Sequence, residues 1–358
     1  MIVKKLVLDN FRNYDTLELE FDKGLNIIVG DNGSGKTNIV EAIQFLSLAR
    51  SFRTSNLSDL IKKEREYASI SASVEQDTIK KDIVALIGAN SKKISINGKL
   101  VRKISELAKS TNVIVFEPKD TLMFKDSPSV RRDFFDIVIS KKHPSYLDSL
   151  ILYEKLLKER NKILKEELID KIQIGIVTDR MIEVEKTIIL ERYRYVSEVN
   201  KILSNVINKI KGEESRAYVK YHPFIEVDDE YDIKCHKAYE DALEGDIKRK
   251  TTTLGVHRED YELYLNDSNV AHNGSQGENR MCAIALKLVP YFLEEERGKK
   301  PIVVLDDVMS ELDTEHKGRL IAFLREFEQV FITSTSINVT NASIYEVSKS
   351  QTVTRRNS

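Results

Sequence analysis

The chain has 358 residues, enough for two or three domains with a sizeable core. Its 56 basic and 57 acidic residues nearly cancel, so net charge points to neither a nucleic-acid nor a membrane partner, and any basic surface must be local. Only Cys235 and Cys282 are present, without metal-ligand spacing, which argues against a disulfide scaffold or a zinc site and fits a reducing cytosol.

The N-terminal "MIVKKLVLDNF" is too short an apolar run for a signal peptide, and nowhere do about 18 apolar residues follow one another, so a soluble protein without a membrane span is expected. "YDTLELEF" alternates Leu17, Leu19 and Phe21 with acidic neighbours, the period of a half-buried strand. "LNIIVG" is a continuous apolar run suited to a buried strand, and 37–49 reads as a helix with Ile39, Ile43 and Leu46 on one face. Residues 68–101 return to a β pattern, in which Asn97-Gly98 predicts a type I′ hairpin.

From 128 to 211 the pattern is helical. Leu150, Tyr153, Leu157, Leu164 and Leu168 form one heptad-like stripe, and Val196, Val199, Leu203, Val206 and Ile210 a second. "QIGIVTD" (173–179) interrupts them, which predicts an antiparallel helix hairpin or an ordinary helical subdomain. A limb of about 30 residues would span about 45 Å. After 250 come a strand at "YELYLND", a helix over 278–297, the strand "PIVVLDDV", a helix over 314–327 and the strand "QVFITST"; the tail "SKSQTVTRRNS" reads as frayed. The expected architecture is an α/β head assembled from both chain ends (1–115 and 246–358) with a helical insertion (116–245) between them.

Between strand and helix, "GDNGSGKT" (30–37) fits G-x-x-x-x-G-K-[ST]. The glycines let backbone N–H groups converge on an anion at a helix N-terminus. Lys36 supplies charge for the outer phosphates, and the Thr37 hydroxyl is a ligand for Mg²⁺. "IVVLDDV" (302–308) is the natural partner, a buried strand ending in Asp306 to hold Mg²⁺ and Asp307 to polarise the attacking water.

"GSQGENR" (274–280) opens a helix ahead of that strand, a placement that resembles the signature loop of ATP-binding-cassette proteins. In that design the loop caps the γ-phosphate held by a second subunit, so it needs no lysine, and Ser275 is the candidate contact. The competing reading is a plain helix cap with Ser275 and Glu278 as a capping box, and the order of the motifs favours the first. "SELD" (310–313) matches the D-loop of the same seam.

Nearly end to end, the sequence is similar to the bacterial RecF family. The resemblance is carried by "LVLDNFRNYDTLELEF", "RSFRT", "SPSVRRDFFD", "YEKLLKERNKIL", "TTTLGVHREDYEL", "GSQGENRMCAIALKL" and "VVLDDVMSELD". It implies an ABC/SMC-type ATPase head that forms a homodimer around ATP and Mg²⁺ on DNA, hydrolyses slowly, and acts with RecO and RecR in single-strand gap repair, replication restart and SOS induction. By position, Gly30, Asp31, Asn32, Gly33, Ser34, Gly35, Lys36 and Thr37, with Asn38 after them, bind ATP. Arg12 and Asn13 approach the nucleotide, while Ser275, Gln276 and Gly277 act in trans. The chain departs from the family in lacking the tryptophan-containing segment between the long helices, and in reading "GVHRED" for "GPHRDD".

Local candidates for DNA contact are Arg50 and Arg53, Lys92, Lys93, Lys99, Arg102 and Lys103 around the hairpin, and Arg131 and Arg132; ordinary surface charge, or pairing of the last two with Asp126, Asp133 or Asp136, competes. His257 reads as structural and Cys282 as packing. A transporter subunit is the rival reading, but the strand end "FITSTS" carries no switch histidine, and an arm this short argues against an SMC-like tether.

Overall fold

The structure is a computed structural model that describes residues 1–336 and 339–357. Strands β1 (Ile2–Phe11) and β2 (Tyr14–Glu20) open the chain, and β3 (Gly24–Val29) leads to helix α1 (Lys36–Leu48). Strands β4 (Tyr67–Gln76), β5 (Ile79–Gly88), β6 (Ser91–Ile96) and β7 (Lys99–Leu100) follow, then α2 (Ile104–Ser110) and β8 (Val113–Phe116). The helical stretch comprises α3 (Pro128–Lys142), α4 (Pro144–Ile163) and α5 (Lys171–Lys211). After β9 (Ala217–His222) and α6 (Tyr231–Arg249) come β10 (Asp260–Leu265), β11 (Ser268–Asn269), α7 (Val270–Asn273) and α8 (Gln276–Leu293). The chain closes with β12 (Ile302–Asp306), α9 (Thr314–Leu324), β13 (Gln329–Ser334), β14 (Ser343–Val347) and β15 (Val353–Asn357).

Two compact units result. The first gathers 1–121, 205–214 and 280–358, so both chain ends meet in it. One of its sheets is antiparallel, β2-β1-β4-β5-β6-β7. Its second sheet, in order β15-β14-β3-β13-β12-β8, is parallel from β14 to β8. Every residue of β12 and β13 is buried, and each carries an apolar run, Ile302 to Leu305 in β12 and Val330 to Ile332 in β13. Leu6, Leu8, Phe11 and Ile70 from one sheet and Ile28 and Phe331 from the other share one core with Ile39, Ile43 and Leu46 of α1.

The second unit comprises 122–204 and 215–279. It therefore includes 215–279 entire, where the sequence places the return to the head at 246. The physical reason is sheet pairing, because β9 pairs β10 from Asp260↔His222 to Leu265↔Ala217. Its core holds buried charges. Arg160, 1% exposed, donates to Asp246, Thr252 and Thr178. Arg192 donates to Asp136, Glu259 and the Val256 carbonyl.

Two local expectations change. "QIGIVTD" lies inside the 41-residue α5, and the chain breaks earlier, over 164–170. Asp170 starts the helix by accepting from the N–H groups of Ile172 and Gln173, and Gly175 is tolerated within it. Leu168 is accordingly 90% exposed, and the buried face of α4 runs through Tyr146, Tyr153, Leu156, Arg160 and Ile163. The tail is a strand, because Val353 and Thr354 pair with Val347 and Glu346 and Arg355 binds Asp22. Ser358, the last residue of that expected frayed tail, lies outside the described residues.

Candidate functional site

The site is built where parallel strands end. β3 and β13 lie side by side with Val29 opposite Ser334, and β13 and β12 with Thr333 opposite Asp306. The loop leaving β3 and the carboxylates leaving β12 thus share one carboxyl edge of the sheet, the usual place for a ligand in an open α/β fold.

Each glycine of the loop that matters has a steric reason. Gly30 has φ 158°, and a Cβ there would run into the Val347 carbonyl oxygen. Gly35 has φ 113°, and its Cβ would come 2.7 Å from Tyr14 Oη and 2.8 Å from Asn13 Nδ2. Gly33 has φ 80° in open space. Asp31, Asn32 and Gly33 form the exposed crest, while Ser34 is buried and its Oγ has no hydrogen-bond partner among the described residues. The Lys36 ammonium closes the loop on itself by donating to the carbonyls of Gly30 at 2.7 Å and Asp31 at 2.8 Å. Burial lowers its pKa, and Asp307, Asp306 and Asp31 oppose that shift.

Thr37 Oγ1 donates to Asp306 Oδ1 at 3.0 Å, joining the first turn of α1 to the end of β12. Thr333 Oγ1 donates to the same oxygen at 2.6 Å and accepts the Asp307 N–H at 2.9 Å. Burial raises the Asp306 pKa, opposed by these hydroxyl bonds. Asp307 adopts φ 51°, a left-handed backbone, and its buried Oδ1 has no hydrogen-bond partner among the described residues. The Ser310 hydroxyl of "SELD" donates to the Asp307 carbonyl at 2.9 Å. A hydroxyl and a carboxylate meeting at one point are hard-oxygen donors suited to Mg²⁺, and the anion cradle beside them suits a nucleoside triphosphate.

"FRNY" reaches the loop through side chains. Asn13 Nδ2 approaches the Ser34 carbonyl at 3.5 Å, and Asn38 Nδ2 donates to Asn13 Oδ1 at 2.6 Å. Arg12 is held by Glu41, whose carboxylate is fully buried and also receives Ser51 and Arg53. Arg53 donates to Asn38 Oδ1 at 2.9 Å. Sequence reasoning misses Glu41, and the available signal is an acidic residue within a helical stretch flanked by two arginine motifs.

Ser275, Gln276 and Gly277 lie exposed in the second unit. Ser275 Oγ accepts the Glu278 N–H at 3.2 Å, and Glu278 Oε2 accepts the Ser275 N–H at 2.9 Å. This is a reciprocal capping box, so the helix cap considered above is present, and it leaves the exposed rim of the loop free to face outward. Asn279 steadies it from behind by donating to the Gly274 and Ser275 carbonyls, each at 2.9 Å.

The cationic candidates separate cleanly. Arg131 is buried and binds Asp260 bidentately, at 2.7 and 2.9 Å, with three carbonyls around its Nη1, and Arg132 donates to the Glu259 carbonyl. These two are structural and are set aside as DNA contacts. Arg131 pairs with the Asp260 carboxylate and also takes the Asp126 main-chain carbonyl, and Arg132 takes the Glu259 carbonyl. Lys92 donates to the Ala49 carbonyl. Lys93, Lys99, Arg102 and Lys103 have no acidic ion-pair partner among the described residues, and Lys93 and Lys99 are exposed. His257 Nδ1 lies 2.6 Å from Tyr153 Oη, and burial pushes its pKa down to about 4, which fits a packed neutral ring. Cys282 is 1% exposed.

A family model described as the RecF/RecN/SMC N terminal domain matches residues 2–356. The chain is 33% identical over 363 residues to the DNA replication and repair protein RecF of Halalkalibacterium halodurans, covering 97% of this chain and 98% of that one. To the protein of the same name from Bacillus subtilis it is 35% identical over 348 residues, 94% of each. A solved structure of the recombination mediator protein RecF with ATP, in the RecFOR pathway, matches with TM-score 0.89 at 33% identity, covering 99% of this chain and 97% of that one. An Smc head domain with an extended coiled coil from Pyrococcus furiosus matches at TM-score 0.58 and 18% identity, over 99% and 96%, a likeness of fold. The fold is that of an ABC/SMC-type ATPase head. No helix among the described residues is long and apolar enough to cross a membrane.

Proposed function

The chain belongs to the RecF family, and from that premise we propose that it is an ATP-dependent DNA-binding protein of recombinational repair, acting at single-strand gaps, in replication restart and in SOS induction. Its partners are DNA, RecO- and RecR-type proteins and a second copy of itself, and its compartment is the cytoplasm. The observation that carries the reading is the meeting of Thr37, Asp306 and Asp307 at the carboxyl edge beside the glycine loop.

ATP with Mg²⁺ supplies a phosphoanhydride whose terminal group water can attack. Backbone N–H groups of the Gly30–Thr37 loop orient the phosphates, and Lys36 offsets their charge. Thr37 and Asp306 hold the ion, Asn13 and Asn38 shape the wall of the loop, and Asp307 accepts a proton from water through its unpartnered oxygen. An aspartate reaches one methylene less far than a glutamate, so turnover is slow, below about 10 s⁻¹. Ser275, Gln276 and Gly277 complete the site of the partner copy, so hydrolysis follows dimerisation.

Light scattering of wild type, Lys36→Met and Ser275→Arg, each with and without ATP and Mg²⁺, tests this. Wild type alone should double in mass, with Ser275→Arg still binding ATP yet remaining single. A Ser275→Arg protein that dimerises like wild type would reduce the loop to its capping box and confine the chemistry to one copy.

A further inference from the structure

We propose that Thr333 is a positioning residue that sets both acidic residues of the site at once through its single hydroxyl; the inference rests on the ATPase reading above. Thr333 is fully buried near the end of β13, in register with Asp306. A hydroxyl has one proton to give and lone pairs to receive. Here the proton goes to Asp306 Oδ1 at 2.6 Å, and a lone pair takes the Asp307 N–H at 2.9 Å.

The consequence differs for the two acids. Asp306 Oδ1 receives Thr37 and Thr333 together, so its carboxylate plane is fixed from both sides. Asp307 sits at φ 51°, a backbone that a non-glycine residue holds only when its surroundings impose it. Thr333 grips its N–H and Ser310 its carbonyl, so both main-chain groups are tethered while the side chain takes no hydrogen bond at Oδ1 among the described residues. The clamp acts on the backbone and leaves the carboxylate oxygen available to a water molecule. A serine would preserve both bonds. A valine would preserve the shape and lose both.

Thr333→Val and Thr333→Ser separate this from simple packing. For each variant and wild type, kcat and KM for ATP are measured, together with the Kd of a fluorescent non-hydrolysable ATP analogue in Mg²⁺ and in EDTA, and the melting temperature. The expected result for Thr333→Val is a fall in kcat of about 100-fold, with KM rising by no more than the roughly tenfold loss of affinity for the Mg²⁺-bound nucleotide. Its Mg²⁺-dependent gain in analogue affinity should shrink by about tenfold while affinity in EDTA is unchanged. Thr333→Ser should recover both quantities to within about threefold of wild type. The proposal is overturned if Thr333→Val keeps kcat and the Mg²⁺ gain, if it loses affinity in EDTA in proportion, or if Thr333→Ser is as impaired as Thr333→Val. A wild type that binds nucleotide without hydrolysing it would remove the ATPase reading instead, and the Mg²⁺ gain alone would then decide the clamp.

Discussion

Thr37 Oγ1 and Asp306 Oδ1 lie 3.0 Å apart across 269 residues of sequence. Two oxygen groups brought that close from opposite chain ends should act on one ion rather than separately. Thr37→Ala and Asp306→Asn are each expected to weaken the Mg²⁺-dependent part of ATP-analogue binding, and the double variant to lose clearly less than the sum. A coupling of about 1 kcal/mol or more in that double-mutant cycle is expected, the range found for residues sharing a partner. Strict additivity would show that hydroxyl and carboxylate serve different ends.

The loop glycines should not be equivalent. A Cβ on Gly30 meets main chain at Val347, which can move only with β14, whereas a Cβ on Gly33 meets nothing within 4 Å and carries only the cost of its positive φ. Gly30→Ala is therefore expected to destabilise the fold by about 2–3 kcal/mol and Gly33→Ala by about 1 kcal/mol, read from urea unfolding. Equal losses would place the constraint in the backbone angle alone.

Distance along the chain decides which of these features are legible in the sequence. The glycine loop, the capping box and the Asn97-Gly98 turn are local chemistry; the last has φ values of 48° and 77°, which suit a type I′ turn. The buried runs "LNIIVG" and "IVVLDDV" announce a parallel sheet, because strands covered on both faces have no polar side to show. The role of Arg131 is hidden because its carboxylate partner stands 129 residues away. The helix break is misplaced because a glycine and β-branched residues in "QIGIVTD" look unfavourable locally, while tertiary packing of Ile174, Val177 and Met181 holds them helical. The Thr333 clamp is invisible for the same reason as Arg131. In sequence, Thr333 stands out only as part of a strand end without histidine.

The hairpin cations and Arg131 should respond in opposite ways. Replacing Lys93, Lys99, Arg102 and Lys103 by alanine is expected to weaken DNA binding and to make the plot of log affinity against log salt shallower, by about one unit of slope for each phosphate no longer neutralised. Their stability effect should be small, because no ion pair among the described residues holds them. Arg131→Ala strands Asp260 and three carbonyls and should cost about 3 kcal/mol of stability with the salt slope unchanged. A shallower slope for folded Arg131→Ala would return that arginine to the DNA surface.

Glu185 and His257 give the second unit a pH signature. Glu185 is fully buried, accepts from Tyr239 Oη at 2.8 Å and the Val256 N–H at 3.3 Å, and burial pushes its pKa up to about 8 from 4.5. Burial pushes His257 the other way, down to about 4 from 6.5. A raised carboxyl pKa means that the folded chain keeps a proton the unfolded chain has lost, so its contribution is full below 4.5 and drains away as pH rises through 8. A lowered histidine pKa means that the unfolded chain binds the extra proton, so stability falls as pH drops from 6.5 through 4. Between 4.5 and 6.5 the two slopes cancel; above 6.5 only the glutamate acts, with a limiting slope of about 1.4 kcal/mol per pH unit. Glu185→Gln imitates the protonated acid and removes that alkaline limb. Urea unfolding at about pH 5.5 and about pH 8.5 should therefore show wild type losing stability with rising pH and Glu185→Gln holding or gaining it. Parallel behaviour of the two proteins would mean that the buried carboxyl titrates alike folded and unfolded, and that solvent reaches Glu185.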